Sequence, residues 1–327
     1  MSIDTEARMI EAGDEWLHEV GEDPAWQESF YFNWADPERK SFTLARTGYR
    51  FHPRKTDGLA ISLRAGELEL FYGPADLDHE GDCRDEDPTR GMRAGDLVVT
   101  MLEPLRRWRL QIEGERGMDV VFEAHTPAFD YSAHDAKLAR TMTGAHFEQS
   151  GRVTGWTHFG AERHEIDALG QRDKSWGVRD WDRLEGWEWL SGQLGTEWSF
   201  NLMQTIENGE RLDNGFVFRD GANHPLVEAR IEYAWGETEH RMQSARIELV
   251  EAGGRAHRLR AEALGSFPIL RDQVWLEETH VAYTLERAGA EPERHGQGVV
   301  EHVWRATRAE IGARGARLAA IVPALRR

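Results

Sequence analysis

Gly170-Gln171-Arg172-Asp173-Lys174-Ser175-Trp176-Gly177-Val178-Arg179-Asp180-Trp181 is the stretch on which the reading of this chain turns. Five ionised side chains of mixed sign stand there among two indoles, in a protein whose other segments mostly alternate apolar and polar. Charge packed against large aromatics describes a partly dry polar site, where a carboxylate can be held in an unusual protonation state. The same residues also fit an architectural role. Arg172 and Asp180, and Asp173 and Arg179, are placed symmetrically about Trp176. A hairpin folded at Ser175-Trp176-Gly177 would make both into cross-strand ion pairs, with Gly177 at the φ > 0 position of a three-residue loop. Both readings stand at this point, because ion-pair networks perturb pKa as active sites do.

Outward from this stretch the hydrophobic period is two almost everywhere. Phe30, Phe32 and Trp34 share a face, and Phe42 and Leu44 resume the pattern after the turn Asp36–Lys40. Leu59, Ile61 and Leu63 lead through Ala65-Gly66-Glu67 to Leu68 and Leu70. Trp108, Leu110 and Ile112 pair across Gly114–Gly117 with Met118, Val120 and Phe122. Pro74–Arg93 reads as a charged loop. In the second half, Asn208-Gly209, Asn214-Gly215 and Gly253-Gly254 mark turns. Val281, Tyr283 and Leu285 line a late strand, with His280 on its other face. In the last strand Val299, Glu301 and Val303 share one face and Val300, His302 and Trp304 the other, so either choice of inward face buries a titratable group. Short terminal helices are expected before Glu22 and after Ala306. Strands at this spacing without a βαβ rhythm predict an all-β protein of antiparallel barrels or sandwiches.

Length and charge narrow the function. At 327 residues the chain is comfortable for two domains, each with its own core. A net charge of -18 argues against nucleic acid and anionic membrane surfaces as partners. No apolar run approaches the roughly 20 residues that span a bilayer, so no integral membrane association is expected. The acidic Met1–Glu22 has no signal-peptide pattern, and Cys83 is the single cysteine, so a reducing cytoplasm is the expected compartment. Cys83 itself reads as an exposed, ordinary thiol in an acidic loop.

The signature stretch resembles the Arg-Asp-His-Ser-Trp-Gly motif of the hydroxyneurosporene synthase (carotenoid hydratase) and AttH-like superfamily. Gly151-Arg152-Val153-Thr154-Gly155 and Gly298-Val299-Val300-Glu301-His302-Val303-Trp304 carry the resemblance across most of the chain. It implies two consecutive lipocalin-like β-barrels, here residues 1–182 and 183–327. It also implies relatives that add water to isoprenoid double bonds or cyclise hydrophobic polyenes. Lys174 departs from the motif, standing where His is usual.

No phosphate-cradling glycine motif, nucleophile elbow or His-Glu-x-x-His is present, so no cofactor and no metal are expected. What remains is proton chemistry on a bulky apolar small molecule. Asp173 is the candidate acid, since a carboxylic acid in an apolar pocket has a raised pKa. His146 is the candidate base, and Lys174 takes the motif's His position. Trp156, Trp176, Trp181 and Tyr283 are the candidate substrate-binding residues, because indole faces attract a developing cation. The expected activity is a cofactor-independent hydratase or dehydratase, isomerase or cyclase. The competing reading is a non-catalytic lipid or terpenoid binder, since barrels hold such ligands well.

Overall fold

The computed structural model describes residues 10–64, 67–73, 76–79, 81–132, 144–179, 185–236, 241–271, 273–287 and 293–318. The first half builds β1 (Trp26–Asp36), β2 (Ser41–Arg50), β3 (Lys55–Arg64), β4 (Glu67–Tyr72), β5 (Leu77–Asp78), β6 (Met92–Ala94), β7 (Leu97–Glu103), β8 (Arg107–Ile112), β9 (Arg116–Ala124), β10 (Phe129–Asp130), β11 (Ala145–Phe159) and β12 (Glu162–Val178). They form one antiparallel sheet in the order β4-β3-β2-β1-β12-β11-β9-β8-β7-β6, with β5 on β3 and β10 on β11. The second half builds β13 (Gly186–Gln193), β14 (Ser199–Glu207), β15 (Glu210–Arg219), β16 (Ala222–Trp235), β17 (Met242–Glu251), β18 (Ala256–Arg271), β19 (Val274–Leu285) and β20 (Arg294–Arg305). These eight close into a barrel in sequence order. The short helix α1 (Arg308–Ala313) follows, started by a Thr307–Glu310 capping box.

The architecture is all-β, as the period-two pattern requires. Hydrophobic faces sort into three cores. Phe30, Phe32, Trp34, Trp108, Leu110, Val120 and Phe122 fill the concave side of the first sheet. Phe200, Leu202, Leu249, Leu259, Val281 and Tyr283 fill the second barrel. The third core lies between the halves: Phe42, Leu44, Ile61 and Leu63 of the first sheet meet Trp187, Trp189, Met203, Phe216 and Val299 of the barrel's outer wall. Each such side chain contributes on the order of 1.5–3 kcal/mol when buried. The strands at the junction are therefore buried on both faces.

Several local expectations are corrected. Ser175-Trp176-Gly177 forms no hairpin; β12 runs straight through it. Continuing the strand pairs Trp26–Ser29 of β1 on one side and Ala145 and His146 of β11 on the other, which a turn would forfeit. Gly177 does have positive φ (117°), but its need is steric: a Cβ there would lie 2.4 Å from the Gly144 nitrogen. Asn214-Gly215 likewise lies inside β15, where Gly215 reaches φ 137° with its nitrogen donating to the Asn214 side chain. Asn208-Gly209 and Gly253-Gly254 are turns, the former with φ of 54° and 74°. Among the described residues before Glu22, only a 3-10 turn, Ala12–Glu15, is formed. The charged segment Pro74–Arg93 contributes β5 and the start of β6 as well as loop. Cys83 is buried in the first core, because its turn folds back over the sheet. The expected boundary at 182/183 and Trp181 lie outside the described residues. Among the described residues, no helix is long and apolar enough to cross a membrane.

Candidate functional site

Alternation along β12 divides the signature between two environments. Arg172, Lys174 and Trp176 enter the first core. The Arg172 guanidinium donates to both oxygens of Glu15, at 3.1 Å from Nη1 and 2.6 Å from Nη2, and from Nε to Gln149 at 3.0 Å. Glu15 also accepts from the Leu105 amide at 2.7 Å. Lys174 Nζ donates to the carbonyls of Asp14 (2.6 Å) and Trp16, with Glu28 at 3.5 Å. Burial pulls the Lys174 ammonium down to about 8. His18 stacks on Trp176 at 4.0 Å. This face clamps the segment 11–18 onto the sheet.

Gln171, Asp173 and Ser175 point the other way, toward the second barrel. In register with Asp173 stand Tyr31 on β1 and Glu148 on β11; His146 is opposite Ser175. Asp173, His146 and Glu148 each place one oxygen or nitrogen within 4.8 Å of the others'. Asp173 lies deep in the molecule yet is partly accessible. Among the described residues its carboxylate has no hydrogen-bond partner. Burial pushes it up to about 7; Glu148 reinforces this through space, while His146, Arg179 and Arg46 oppose it. Arg179 is not its cross-strand ion-pair partner: it follows β12 and donates to Ser175 Oγ at 3.0 Å.

Glu148 is the hub beside Asp173. It accepts from Gln171 Nε2 (2.8 Å) and from Trp189 Nε1 (2.8 Å), the latter crossing from the second barrel, and its Oε1 lies 3.0 Å from His146 Nε2. Burial still pushes its carboxyl up to about 8, against those hydrogen bonds. Burial also lowers the His146 pKa, so the ring is held neutral. His146 Nδ1 is buried without a partner among the described residues, and the Tyr131 ring packs at 4.8 Å. The facing wall is also acidic. Glu278 on β19 and Glu301 on β20 are in register and hydrogen-bonded, and the Trp187 indole donates to Glu301. Burial raises both carboxyls, so the pair retains a proton. Tyr31 lies between the walls, its ring 5.5 Å from Trp189 and its hydroxyl accepting from Asn33 at 3.2 Å.

Of the expected site residues that lie among the described residues, Asp173 and His146 are brought together, and Lys174, Trp156, Trp176 and Tyr283 are not. The site role expected for Lys174 is corrected: its ammonium is on the opposite face of β12 and saturated by carbonyls. Trp176 is corrected for the same reason. Trp156 lies ten residues along β11 from His146, roughly 33 Å of extended chain, under the Arg163 guanidinium at 4.5 Å. Tyr283 belongs to the barrel interior and donates to the Val299 carbonyl at 2.8 Å. The sequence reading missed Tyr31, Tyr131, Glu148, Trp189 and Glu278. Glu148 alone had a local signal, since His-Phe-Glu in a strand puts His146 and Glu148 on one face. The His146–Glu148–Asp173 set could offer ligands to a metal, but Glu148 already accepts from Trp189 and Gln171 and contacts His146. That pattern suits a hydrogen-bond hub better than a metal ligand. A cleft of about 470 Å³ near Trp198 and Arg219 shares no residue with this site.

The fold is thus a twelve-stranded antiparallel sheet followed by a closed eight-stranded barrel, with a polar cluster where the two meet. The chain belongs to the family described as "Domain of unknown function (DUF7064)", whose model matches residues 11–306. Its fold is similar to kievitone hydratase from Nectria haematococca, with a TM-score of 0.63 at 11% identity over 85% of this chain and 89% of that one. It is also similar to CghA solved with Sch210972, at TM-score 0.64 and 12% identity over 86% and 89%. A Nitrosomonas europaea protein described as "a putative AttH" aligns over 94% of this chain and 99% of its own, at TM-score 0.60 and 12% identity. No curated protein matches the sequence.

Proposed function

We propose that this protein is a cofactor-independent acid–base enzyme that adds or removes water, or isomerises or cyclises, on a bulky and largely apolar substrate held between its two halves. The observation that carries the reading is Asp173: a partly accessible carboxyl, without a hydrogen-bond partner among the described residues, and pushed by burial to about 7. A group with that pKa is half protonated at neutral pH, where general acids are most effective.

His146 and Glu148 supply the complementary base. With its proton on Nε2, directed at Glu148, His146 presents a free Nδ1 lone pair. A proton taken at Nδ1 makes the ring an imidazolium, which lies 3.0 Å from Glu148 Oε1 and beside the Asp173 carboxylate left after proton donation. In the hydration direction Asp173 gives its proton to an alkene carbon, and water attacks the resulting cation while losing its own proton to His146. Dehydration reverses each step. Trp189 and the Tyr31 and Tyr131 rings provide faces for the cation. The hydratase named among the structural neighbours supports this reaction class. The binder reading expects a purely apolar lumen; here both sheet interiors are filled by side chains, and Asp173, Glu148, Glu278 and Glu301 stand among the apolar side chains packed between them.

The test is a paired measurement. Carbon-13 NMR of labelled aspartate should show one carboxyl titrating near 7, absent from D173N. A panel of prenylated and polyene alkenes in 18O water should give label incorporation that D173N loses. A site carboxyl titrating near 4 would overturn the reading.

A further inference from the structure

Where the second barrel packs against the first sheet, three buried polar side chains have no hydrogen-bond partner among the described residues. Asn201 on β14 is 0% exposed, and neither its Oδ1 nor its Nδ2 has a partner among the described residues. Its register neighbour on β13, Ser191, is also 0% exposed with an orphan Oγ. The Tyr131 hydroxyl, arriving from β10, is a third such group. Strand alternation aims all three into the core between the halves: Ser191 shares its face with Trp189, Asn201 with Met203, and Tyr131 packs there itself. They adjoin the site. Trp189, two residues from Ser191, donates to Glu148, and the Tyr131 ring lies 4.8 Å from His146. The Asn201 partner on β15 is Phe216, whose ring is 4.9 Å from Phe129, which in turn packs 5.4 Å from Tyr131.

A buried polar group is normally hydrogen-bonded, and one left bare is costly. The neighbouring Asn214 shows how this face treats a structural amide: it donates to the Tyr131 carbonyl at 3.0 Å and accepts from the Gly215 amide at 2.7 Å. Asn201, with both ends open, behaves differently. A hydrocarbon ligand would leave all these atoms bare. A substrate oxygen that accepts from the amide or phenol would satisfy those donors, and a hydroxyl would also donate to Asn201 Oδ1.

We propose that Ser191, Asn201 and Tyr131 form a polar subsite beside Asp173 that binds a carbonyl or hydroxyl oxygen of the substrate. This rests on the acid–base reading and deepens it: the substrate is an oxygenated molecule, not a plain polyene. The oxygen is anchored on the second barrel while the reacting carbon faces the acid of the first.

Two measurements test the subsite without the natural substrate. In ligand-free protein, Asn201→Leu should raise Tm, because it removes unsatisfied groups; a fall in Tm means that Asn201 is a bonded structural residue and overturns the proposal. Ligand-observed NMR with cyclohexanone, cyclohexanol and methylenecyclohexane then reads selectivity. At least one oxygenated probe should bind about tenfold tighter than the hydrocarbon, with the preference lost in N201L and reduced in Tyr131→Phe. No preference, or one that survives in N201L, overturns it. D173N should keep the preference, so a failed acid–base mechanism and a failed subsite give different results.

Discussion

The two faces of β12 carry the same kinds of residue and do opposite things. Arg172 and Lys174 are charges taken out of water and then satisfied: Glu15, Gln149, Glu28 and two backbone carbonyls meet nearly every donor. Asp173, between them in sequence, is partly accessible and left without a partner among the described residues. A buried ionisable group with partners holds the structure together. One without partners keeps a proton and remains available to a ligand. The polar signature is thus both an architectural and a chemical feature, sorted by parity along one strand.

The largest effect expected from this comparison is on the satisfied face. Arg172→Met leaves Glu15 as an uncompensated buried carboxylate and should cost about 3–5 kcal/mol in denaturant unfolding. The double variant with Glu15→Leu should recover much of that loss, because the remaining charge is gone. If R172M were neutral, the clamp on residues 11–18 would not be a stabilising element.

On the other face, Asp173→Asn should stabilise rather than weaken the fold, with a pH signature. The native carboxyl sits near 7 while the unfolded one sits near its ordinary value of about 3.9. The native state therefore holds a proton that the unfolded chain releases, and wild-type stability falls as pH rises from about 4 to about 7. D173N lacks that loss. Its advantage should be near zero at pH 4 and grow to at most about 4 kcal/mol at pH 8, at about 1.4 kcal/mol per pKa unit. An advantage that is flat with pH would erase the distinction between the two faces.

A smaller energy, though a large rate effect, belongs to the chemistry. Once a substrate is in hand, D173N should lower turnover by about 10² or more with little change in affinity, the usual consequence of losing a general acid. Smallest of all, Trp156→Phe lies far from the site on a half-buried surface. It should change stability by about 0.5 kcal/mol or less and leave ligand binding intact. A large binding defect in W156F would mean that the ligand extends along β11, beyond the space described.

Much of the strand architecture was legible because it is local. Trp108, Leu110 and Ile112 pair with Phe122, Val120 and Met118 in the register that their alternation predicts. The Asn208-Gly209 turn follows from backbone preferences alone. The same local logic misread Ser175-Trp176-Gly177, whose symmetry of charges resembles a hairpin. The reason it is straight lies more than a hundred residues away, in β1. Cys83 was misread similarly, since a polar neighbourhood in sequence says nothing about which core a turn folds over.

The sequence by itself determined that the chain is all-β and that most strands bury one face, and it singled out Asp173 and His146, which the fold brings together. It could not determine which titratable residues meet. In β20 both faces carry a polar group between apolar neighbours, and no local rule selects one as inward. The tertiary structure removed the choice: Val300 enters the barrel, while Val299, Glu301 and Val303 face the first sheet. Packing one sheet's outer wall against another gives a strand two interiors, and period-two patterning, which encodes a single inside and outside, cannot express that. Glu148 meeting Trp189, and Glu301 facing Tyr31, are products of that docking. They depend on the shape of two finished sheets rather than on any stretch of residues.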